Sequence, residues 1–263
     1  MRRESSAGDL VSGHVDPETR ARSIPPDPAR GERMRALREA LVVSAVVTGV
    51  VTAASARLPD RYVATAVGFV FLGATWALVW RGSDARVERA GLSLGGLVLP
   101  GPLDVTRLAR SGGKALAWAL LFAAITFVPF FFGWRAFWHP KGSFGLHVQP
   151  WDTVNELFGQ LVIIALPEEA FYRGYLQSRL DDVMPARIRV LGASVGPALI
   201  VASVIFALGH FATIRQPERL AVFFPSLAFG WLRARTGGIG AGIVFHASCN
   251  IFSELLGRGY RIY

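Results

Sequence analysis

Three groups of polar residues interrupt otherwise apolar segments in the second half of the chain. Their side chains can accept or donate protons or hydrogen bonds. The first group is Glu168 with Glu169 and Arg173, the second is His210, and the third is His246 with Asn250. An ionisable side chain inside a membrane helix costs a few kcal/mol, so each of these residues requires a partner or a function. Carboxylates and imidazoles are the usual general bases and acids, so the groups are candidates for proton-transfer chemistry.

The first group contains one predicted ion pair and one carboxylate outside that pair. Glu169 and Arg173 are four residues apart with the acid first, which is the favourable order for an ion pair along a helix. Glu168 lies about 100° around the helix from Glu169 and has no basic residue three or four positions later. Glu168 is therefore a candidate general base, unless a partner on another helix neutralises it or it lies in a water-filled cavity.

His246 and Asn250 are also four residues apart and share one face of an apolar helix. The alternative interpretation is a hydrogen-bonded contact between helices. Depth along the helices is consistent with a shared site, since Glu168 lies 11 residues, or about 16 Å, from Arg179. His246 lies at the same depth, 11 residues from Arg235, so the carboxylate and this imidazole are predicted to meet.

His210 is harder to place at that depth. A continuous helix would put it 21 residues, or about 31 Å, from Arg189, near the opposite face of the membrane. Gly196 and Pro197 interrupt this segment, and a helix that begins near Val195 shortens the distance to about 22 Å. His210 is therefore expected at the site only if the helix begins after this break.

The composition identifies the environment of these helices. Hydrophobic residues make up 52% of the 263 residues and charged residues 18%, with a mean hydropathy of +0.38. Soluble domains carry about 25% charged residues, so an integral membrane protein is favoured. Apolar segments lie at 40–56, 62–80, 115–134, 154–179 (after a capping box of Thr153 and Glu156), 191–211, 217–232 and 239–256. The predicted fold is an all-α polytopic membrane helix bundle of about seven transmembrane helices, or eight if one segment is split.

The chain divides into three predicted regions. Residues 1–39 are rich in arginine, acidic residues and proline and are predicted to form a disordered cytoplasmic tail. Residues 40–134 are predicted to form the N-terminal transmembrane helices, with an amphipathic loop at 81–114. Residues 153–256 are predicted to form a helical core that contains all the polar groups.

The net charge of +9 is explained by membrane topology. With the N-terminus in the cytoplasm, the inside loops contain 16 basic residues and the outside loops 8, as the positive-inside rule requires. The basic residues lie between apolar runs and form no patch, so nucleic-acid binding is not expected. Only Lys114 and Lys141 are lysines, a bias that favours a bacterial source and hence the bacterial inner membrane.

The three groups also match known motifs. Residues 168–173 fit EExxxR, residues 206–210 fit FxxxH, and residues 246–250 fit HxxxN, in this order. Together they resemble the CPBP family of intramembrane proteases, which includes the CAAX prenyl endopeptidases and bacteriocin-processing or self-immunity proteins. The resemblance covers residues 153–256 and implies a catalytic core of the glutamic type, in which a glutamate-activated water hydrolyses a peptide bond.

The resemblance also implies a role for each residue. Glu168 activates the water with help from His210. His246 and Asn250 stabilise the oxyanion of the tetrahedral intermediate. The supporting residues are Glu169, Arg173 and Phe206. The expected partners are the lipid bilayer and a membrane-anchored protein or peptide substrate.

A zinc ion is the main mechanistic alternative. Glu168, His210 and His246 would supply a ligand set of two histidines and one glutamate, and the family was long described as metalloproteases. The sequence has no HExxH motif, and a zinc ion would take Glu168 as a ligand and leave no separate base. We therefore expect no cofactor and no metal, with zinc kept open as the alternative.

Two interpretations without proteolysis are kept as well. A non-catalytic membrane scaffold or bacteriocin-immunity-type protein would use the polar residues to hold helices together and would tolerate Glu168→Gln. A proton-coupled transporter would use Glu168 as its proton carrier, but the inverted repeat that this function predicts is not found in the sequence.

Overall fold

The fold is a bundle of helices with a short β-hairpin. The computed structural model describes residues 28–145 and 150–262. The helices are α1 (Pro28–Arg57), α2 (Asp60–Thr75 with the π-helical turn Trp76–Trp80), α3 (Asp84–Arg89), α4 (Val105–Trp138), α5 (five segments from Pro150–Phe158 to Ser178–Val183), α6 (Pro197–Thr213), α7 (Phe223–Thr236) and α8 (Gly240–Gly259). The all-α prediction is confirmed, with the hairpin as an addition to it.

Three of the described helices are long and apolar enough to cross a membrane by length and composition. They are α1 from Arg30, α2 with its π-helical turn, and α4. α6 is also apolar but has only 17 residues. The prediction of about seven transmembrane helices goes beyond these three and stays a prediction.

α1 begins earlier than predicted. The predicted tail extended to residue 39, but residues 28–39 are helical. Ala36 is buried there, and Glu39 pairs with Arg179 of α5 at 2.9 Å, which attaches this part of α1 to the bundle. The rest of the predicted disordered tail lies outside the described residues.

α4 also begins earlier than the uncharged run that predicted it. That run starts at Ala115, whereas the helix starts at Val105. Asp104 accepts a hydrogen bond from the backbone N–H of Arg107 at 2.9 Å, which satisfies a free donor of the first turn and fixes the start of the helix. The remainder of the predicted amphipathic loop contains α3, in which Val87 is buried.

The segment before α6 folds as an antiparallel hairpin of β1 (Ile188–Val190) and β2 (Ala193–Val195). Leu191 and Gly192 both have positive φ angles, 47° and 81°, as a two-residue hairpin turn with matching twist requires. The prediction that an apolar segment runs from 191 to 211 is therefore wrong for its first residues. α6 begins at Pro197, since proline suits the first helical turn, where no N–H partner is needed.

α5 contains the acidic motif and is not a regular α-helix. Its segments are α-helical Pro150–Phe158, π-helical Gly159–Ala165, α-helical Leu166–Glu169, π-helical Ala170–Gln177 and α-helical Ser178–Val183. It begins four residues before the predicted Val154. Pro167 removes one backbone donor from the helix, and π-helical turns are frequent at functional sites. Here the two π segments lie on either side of the pair Glu168 and Glu169.

Ionic contacts identify which helix ends lie together. At one end, Arg233 of α7 pairs with Asp181 of α5 at 2.9 Å and donates to the backbone carbonyl of Arg89 at 3.2 Å. At the other end, Arg258 of α8 pairs with Glu156 of α5 at 3.0 Å. α5 therefore runs through the bundle from one end to the other.

The core surrounds the middle of α5. Every residue of the segment Ala170–Gln177 is buried. By contrast, Leu120, Ile125 and Phe132 of α4 are between 60% and 65% exposed. An apolar outer face of this kind suits contact with lipid chains, so the polar groups of α5 face the interior and the apolar ones of α4 face outward.

Candidate active site

Three helices bring their polar residues to one carboxylate oxygen. Oε2 of Glu168 on α5 lies 3.8 Å from Nε2 of His210 on α6 and 3.8 Å from Nε2 of His246 on α8. Glu168 is 9% exposed, and no described residue forms a hydrogen bond with its Oε2. A separation of 3.8 Å exceeds a direct hydrogen bond and suits groups that act together on one small molecule such as water.

The two histidines differ in what holds their Nδ1 atoms. Nδ1 of His210 lies 3.0 Å from the backbone carbonyl oxygen of Phe206, and Nδ1 of His246 lies 3.1 Å from Oε1 of Glu169. Both partners are acceptors, so Nδ1 carries the proton in each ring. In the neutral form, each Nε2 is then an acceptor directed at Glu168.

Glu169 and Arg173 form the predicted ion pair inside the bundle. Arg173 Nη1 lies 3.4 Å from Glu169 Oε1, and both residues are at most 1% exposed. Arg173 Nη2 also donates to the backbone carbonyl and to Oγ of Ser226 on α7, at 3.2 Å and 2.8 Å. The charge of Glu169 is thus balanced within the pair, while Glu168 faces two imidazoles.

Aromatic rings enclose this network. Phe229 stacks on His246 with ring centres 4.6 Å apart and an interplanar angle of 14°, and the ring of Phe206 lies 4.3 Å from that of His210. The Arg173 guanidinium lies 4.5 Å from the centre of the Phe206 ring. Such contacts fix the orientation of both imidazoles and exclude water from the buried side of the site.

Asn250 is bonded to a residue outside the three motifs. Its Nδ2 donates to Oε1 of Gln160 at 2.9 Å. Gln160 belongs to the first π-helical segment of α5, eight residues before Glu168. An amide nitrogen carries two protons, so Asn250 keeps a second donor for another acceptor.

A cavity of about 530 Å³ reaches the site. Glu168 and His210 line it, together with apolar residues such as Val67 and Phe71 of α2 and Ile163 of α5. Its volume is typical of sites for small ligands and peptide side chains. The His210 side chain is 25% exposed and that of His246 only 5%, so the cavity approaches the group from the side of His210.

The fit of a metal ion can be judged from the spacing of the donor atoms. Zinc binds such atoms at about 2.0–2.2 Å, which places two ligands of a tetrahedral site about 3.3 Å apart. The types of donor fit zinc, but each Nε2 lies 3.8 Å from Glu168 Oε2. Within the part of the chain that the structure describes, no group of three His, Cys, Asp or Glu is arranged to hold a metal ion.

The structure brings together most of the residues that the sequence singled out. Glu168, His210 and His246 meet directly, with the supporting residues Glu169, Arg173 and Phe206 packed behind them. Asn250 is connected to α5 through Gln160. These distances show that the residues lie close together, while their catalytic roles stay predictions.

The part of the chain that contains all three motifs matches a known family. Its model is described as Rce1-like, type II CAAX prenyl endopeptidase, and it matches residues 150–252. Residues 150–252 are thus similar to this family, and we call them the Rce1-like segment. The match confirms the resemblance to CAAX proteases that the motifs indicated, and the apolar helices make the chain an integral membrane protein. Comparisons with curated proteins and with solved structures found no match.

Several contacts of the Rce1-like segment were not predicted from sequence. Gln160 had a detectable signal, because it is a polar residue in the apolar run before Pro167. Ser226 and Phe229 had none, since serine and phenylalanine are ordinary residues of an apolar helix and their partners lie on other helices. The cavity wall formed by α1 and α2 lies outside the Rce1-like segment and was also missed.

Proposed function

We propose that this protein is an intramembrane endopeptidase that hydrolyses a peptide bond in a membrane-anchored protein or peptide by means of a glutamate-activated water. One observation carries the proposal: Nε2 atoms of two histidines converge on Oε2 of Glu168 beside a cavity. The protease family matched by residues 150–252 supports it. No cofactor is required for this chemistry.

The first step is attack of water on the substrate carbonyl carbon. A water beside Glu168 Oε2 gives one proton to the carboxylate as its oxygen bonds to carbon. Nε2 of His210 accepts the other proton of that water in a hydrogen bond, because Nδ1 of His210 donates to the Phe206 carbonyl. Base and acceptor together orient the lone pair of the water towards the carbonyl carbon.

The carbonyl oxygen becomes an oxyanion in this step and needs donors. His246 provides one when its Nε2 is protonated, and Glu169 on Nδ1 stabilises the positive ring that results. Asn250 provides the second through the N–H that Gln160 does not bind. Fixed donors in a site with little water stabilise the oxyanion more than they would in solution.

The intermediate then collapses to products. The C–N bond breaks, and Glu168 returns its proton to the leaving nitrogen, so one water is consumed and two peptide termini are formed. The ion pair of Glu169 with Arg173 adds no net charge to the site. Glu168 can therefore take up and release the proton of the reaction without a second uncompensated negative charge beside it.

We propose that the reaction uses no metal ion. The two Nε2 atoms lie farther from Glu168 Oε2 than ligands of one zinc ion would, and a zinc ion would bind Glu168, which is then no longer free to act as the base. We also propose that the protein lies in the bacterial inner membrane, because lysine is scarce among its basic residues, and that its N-terminus is cytoplasmic, because of how the basic residues are distributed. The competing function is a non-catalytic scaffold or immunity-type protein, in which the same buried network only holds helices together.

Glu168→Gln is the deciding variant because it keeps the shape and the hydrogen-bonding capacity of the side chain. Membranes from cells with wild-type protein, with Glu168→Gln and with Glu254→Gln are compared by a quantitative survey of new peptide termini. We expect a small set of termini to disappear in Glu168→Gln, with a rate loss of at least about 10²-fold. Glu254 lies on α8 in an exposed pair with Arg258 and serves as the control.

The same survey with a membrane-permeant zinc chelator tests the metal alternative, in which chelation would remove the same termini as Glu168→Gln. We expect the termini to persist. Identical profiles for wild type and Glu168→Gln, with the cellular role intact, would contradict proteolysis and favour the scaffold.

A further inference from the structure

The hairpin of β1 and β2 has one apolar face and one polar face. Ile188 of β1 pairs with Val195 of β2, and Val190 pairs with Ala193. Partners across a hairpin lie on the same face, so these four side chains form one apolar face. Side chains alternate along a strand, so Arg189 belongs to the opposite face. Ala193 is fully buried among residues of the helices, which shows that the apolar face is turned towards the bundle.

The helices cover β1 only in part. Ile188 is 61% exposed and Val190 is 40% exposed, although both lie on the face that buries Ala193. Leu191, at the tip, is 84% exposed. The Nε1–H of Trp231 donates to the backbone carbonyl of Val190 at 2.9 Å and holds the hairpin on α7. β1 therefore extends past the helices and presents three adjacent apolar side chains that the described residues leave largely uncovered.

Leu191 occupies a backbone position that disfavours leucine. Its φ angle of 47° lies in the left-handed region, where a Cβ atom causes strain and glycine or asparagine is the usual residue. Gly192, with a φ angle of 81°, follows this preference. The leucine side chain is also exposed, so it strains the backbone without gaining burial within the described part of the chain. An apolar environment outside the chain offsets both costs.

The hairpin turn lies beside the point where α4 enters its apolar segment. Gly192 packs against Arg235 of α7, whose Nε lies 3.1 Å from the position of a Cβ atom at this glycine. The Arg235 guanidinium lies 5.0 Å from the centre of the Trp118 ring on α4. Trp118 is four residues, or about 6 Å, beyond Lys114, the last charged residue before the uncharged run 115–134. Tryptophan is typical of the boundary between lipid and water, so the hairpin lies at the level of this boundary.

Arg187 and Arg189 give the hairpin a positive charge that has no carboxylate partner. Both are exposed, and neither forms an ion pair within residues 28–145 and 150–262. A guanidinium binds a phosphate with two parallel hydrogen bonds. Anionic lipids of the cytoplasmic leaflet attract arginines near the membrane surface, so the charge of the hairpin complements this leaflet.

We infer that the hairpin is a membrane anchor that lies in the headgroup layer of an anionic leaflet. The side chains of Ile188, Val190 and Leu191 enter the lipid chains, and the two arginines bind lipid phosphates. α6 begins at Pro197, two residues after β2, so the anchor also fixes the depth at which the helix that carries His210 enters the membrane. Anchoring of this kind does not require proteolysis.

Fluorophores on single cysteines test where the tip of the hairpin lies. Cys249→Ser removes the cysteine of the chain, and Leu191→Cys or Ser194→Cys then carries an environment-sensitive label in vesicles of phosphatidylcholine with phosphatidylglycerol. Ser194 is the matched control, because it pairs with Arg189 on the polar face and is exposed. We expect lipids with a nitroxide below the headgroup to quench the label at position 191 at least about three-fold more strongly than that at position 194. Iodide on both sides of the membrane should quench the two labels in the reverse order.

Two results would overturn the lipid anchor. Strong quenching by iodide at position 191 would place the tip in water, and protection from both quenchers would place it against a protein partner or a second copy of the chain. Leu191→Asn gives an independent test, because asparagine tolerates the positive φ angle and keeps the turn. In this variant a label at Ile188→Cys should lose at least about half of its nitroxide quenching, while the melting temperature in detergent stays the same or rises. Unchanged nitroxide quenching would contradict insertion of the leucine.

The phosphate contact is tested with nitroxide-labelled phosphatidylglycerol and equally labelled phosphatidylcholine as quenchers of the label at position 191. We expect phosphatidylglycerol to quench at least about three-fold more strongly, and Arg187→Gln with Arg189→Gln to reduce this ratio to about one. Arg57→Gln with Arg61→Gln removes the same charge where α1 ends and α2 begins and should leave the ratio unchanged. Equal quenching by the two lipids without the arginine substitutions would overturn the role of Arg187 and Arg189.

Discussion

At the scale of single residues, the two histidines of the site are chemically distinct although both direct Nε2 at Glu168. His210 donates Nδ1–H to a neutral carbonyl, whereas His246 donates it to the carboxylate of Glu169. A carboxylate partner stabilises a positive imidazole, and a carbonyl does so less. The partners of Nδ1 therefore favour His210 as the acceptor for water and His246 as the donor to the oxyanion.

Glu169 and Arg173 support the two histidines as a buried ion pair, and each of these charges depends on the other as its partner. Removal of one member of a buried ion pair typically destabilises a protein by about 3–5 kcal/mol, because the other charge stays buried without a partner. An exposed pair such as Arg258 with Glu254 contributes about 0–1 kcal/mol. Loss of activity in a Glu169 variant therefore reports on folding as well as on chemistry, which is why Glu168 is the better residue to test.

Gln160 provides a residue-scale test of the proposed role of Asn250. Gln160→Leu removes the acceptor that holds the Asn250 amide, and Gln160→Glu keeps an acceptor at the same place. We expect Gln160→Leu to lower kcat about ten-fold with little change in KM, since a misplaced oxyanion donor affects the transition state more than substrate binding. Gln160→Glu should retain most of the activity.

The measurement is steady-state cleavage of a substrate found in the terminal-peptide survey, with purified protein in vesicles. A purely structural role of Gln160 would instead lower the melting temperature of both variants and leave kcat per folded molecule unchanged. Equal activity of Gln160→Leu and wild type would show that Asn250 needs no positioning by α5.

At the scale of secondary-structure elements, the irregularity of α5 decides which residues face the site. A π-helical turn contains an extra residue, so each of the two π segments changes the direction of the side chains that follow it. The angle of about 100° between the side chains of Glu168 and Glu169 is unaffected, because both residues lie in the short α-helical segment between the two π segments. The face that α5 presents to α8 as a whole depends on the π segments, which the sequence pattern did not reveal.

Close packing of α8 against α5 depends on a glycine opposite Glu169. A Cβ atom at Gly242 would lie 2.8 Å from Oε2 of Glu169, and the contacts of the other oxygen, Oε1, with Arg173 and His246 hold this carboxylate in place. We expect Gly242→Ala to displace Glu169, to destabilise the protein by about 1–3 kcal/mol and to lower activity. Gly133→Ala on α4 is the control, because nothing lies within 4 Å of its Cβ position.

Thermal unfolding in detergent, followed by activity at a permissive temperature, measures both effects. Gly133→Ala should be neutral or slightly stabilising, since alanine is the better helix former. If Gly242→Ala were as stable and as active as Gly133→Ala, the close contact between α8 and Glu169 would not be required for the site.

At the scale of the whole molecule, the two ends of the bundle differ in composition. At one end Arg179 pairs with Glu39 and Arg233 pairs with Asp181, whereas at the other end the rings of Trp134 and Tyr260 lie with their centres 5.7 Å apart. Basic residues gather on the cytoplasmic side of membrane proteins, so the first end is the expected inside. The part of the cavity lined by Asp60 and Arg219 then lies towards the outside.

Single cysteines test this orientation. In a Cys249→Ser background, Ser83→Cys lies between α2 and α3 at the basic end, and Gln216→Cys lies between α6 and α7, three residues before Arg219 of the cavity wall. Both positions are exposed. We expect a membrane-impermeant thiol reagent added to intact cells to label Gln216→Cys and not Ser83→Cys, and to label both after the membrane is permeabilised.

Labelling of Ser83→Cys alone in intact cells would reverse the orientation and place the part of the cavity lined by Asp60 and Arg219 on the cytoplasmic side. The geometry of the site would be unaffected, but substrates would then reach it from the cytoplasmic side. The result therefore decides where candidate substrates are to be sought.

The amino-acid sequence by itself determined the features that depend on local spacing. The ion pair of Glu169 with Arg173 and the shared helix face of His246 and Asn250 follow from the helical repeat, and the break at Gly196 and Pro197 predicted where α6 begins. Apolar runs located the helices, although α1, α4 and α5 extend beyond them because ion pairs, caps and proline act outside the apolar segments.

Only the tertiary structure decided which residues complete the site. The contacts of Gln160 with Asn250, of Ser226 with Arg173 and of Phe229 with His246 join residues that are 17 to 90 positions apart in the chain. Such contacts depend on how helices pack, and no periodicity along one helix encodes them. The same reason applies to the cavity, whose wall on α1 and α2 lies more than 90 residues before Glu168.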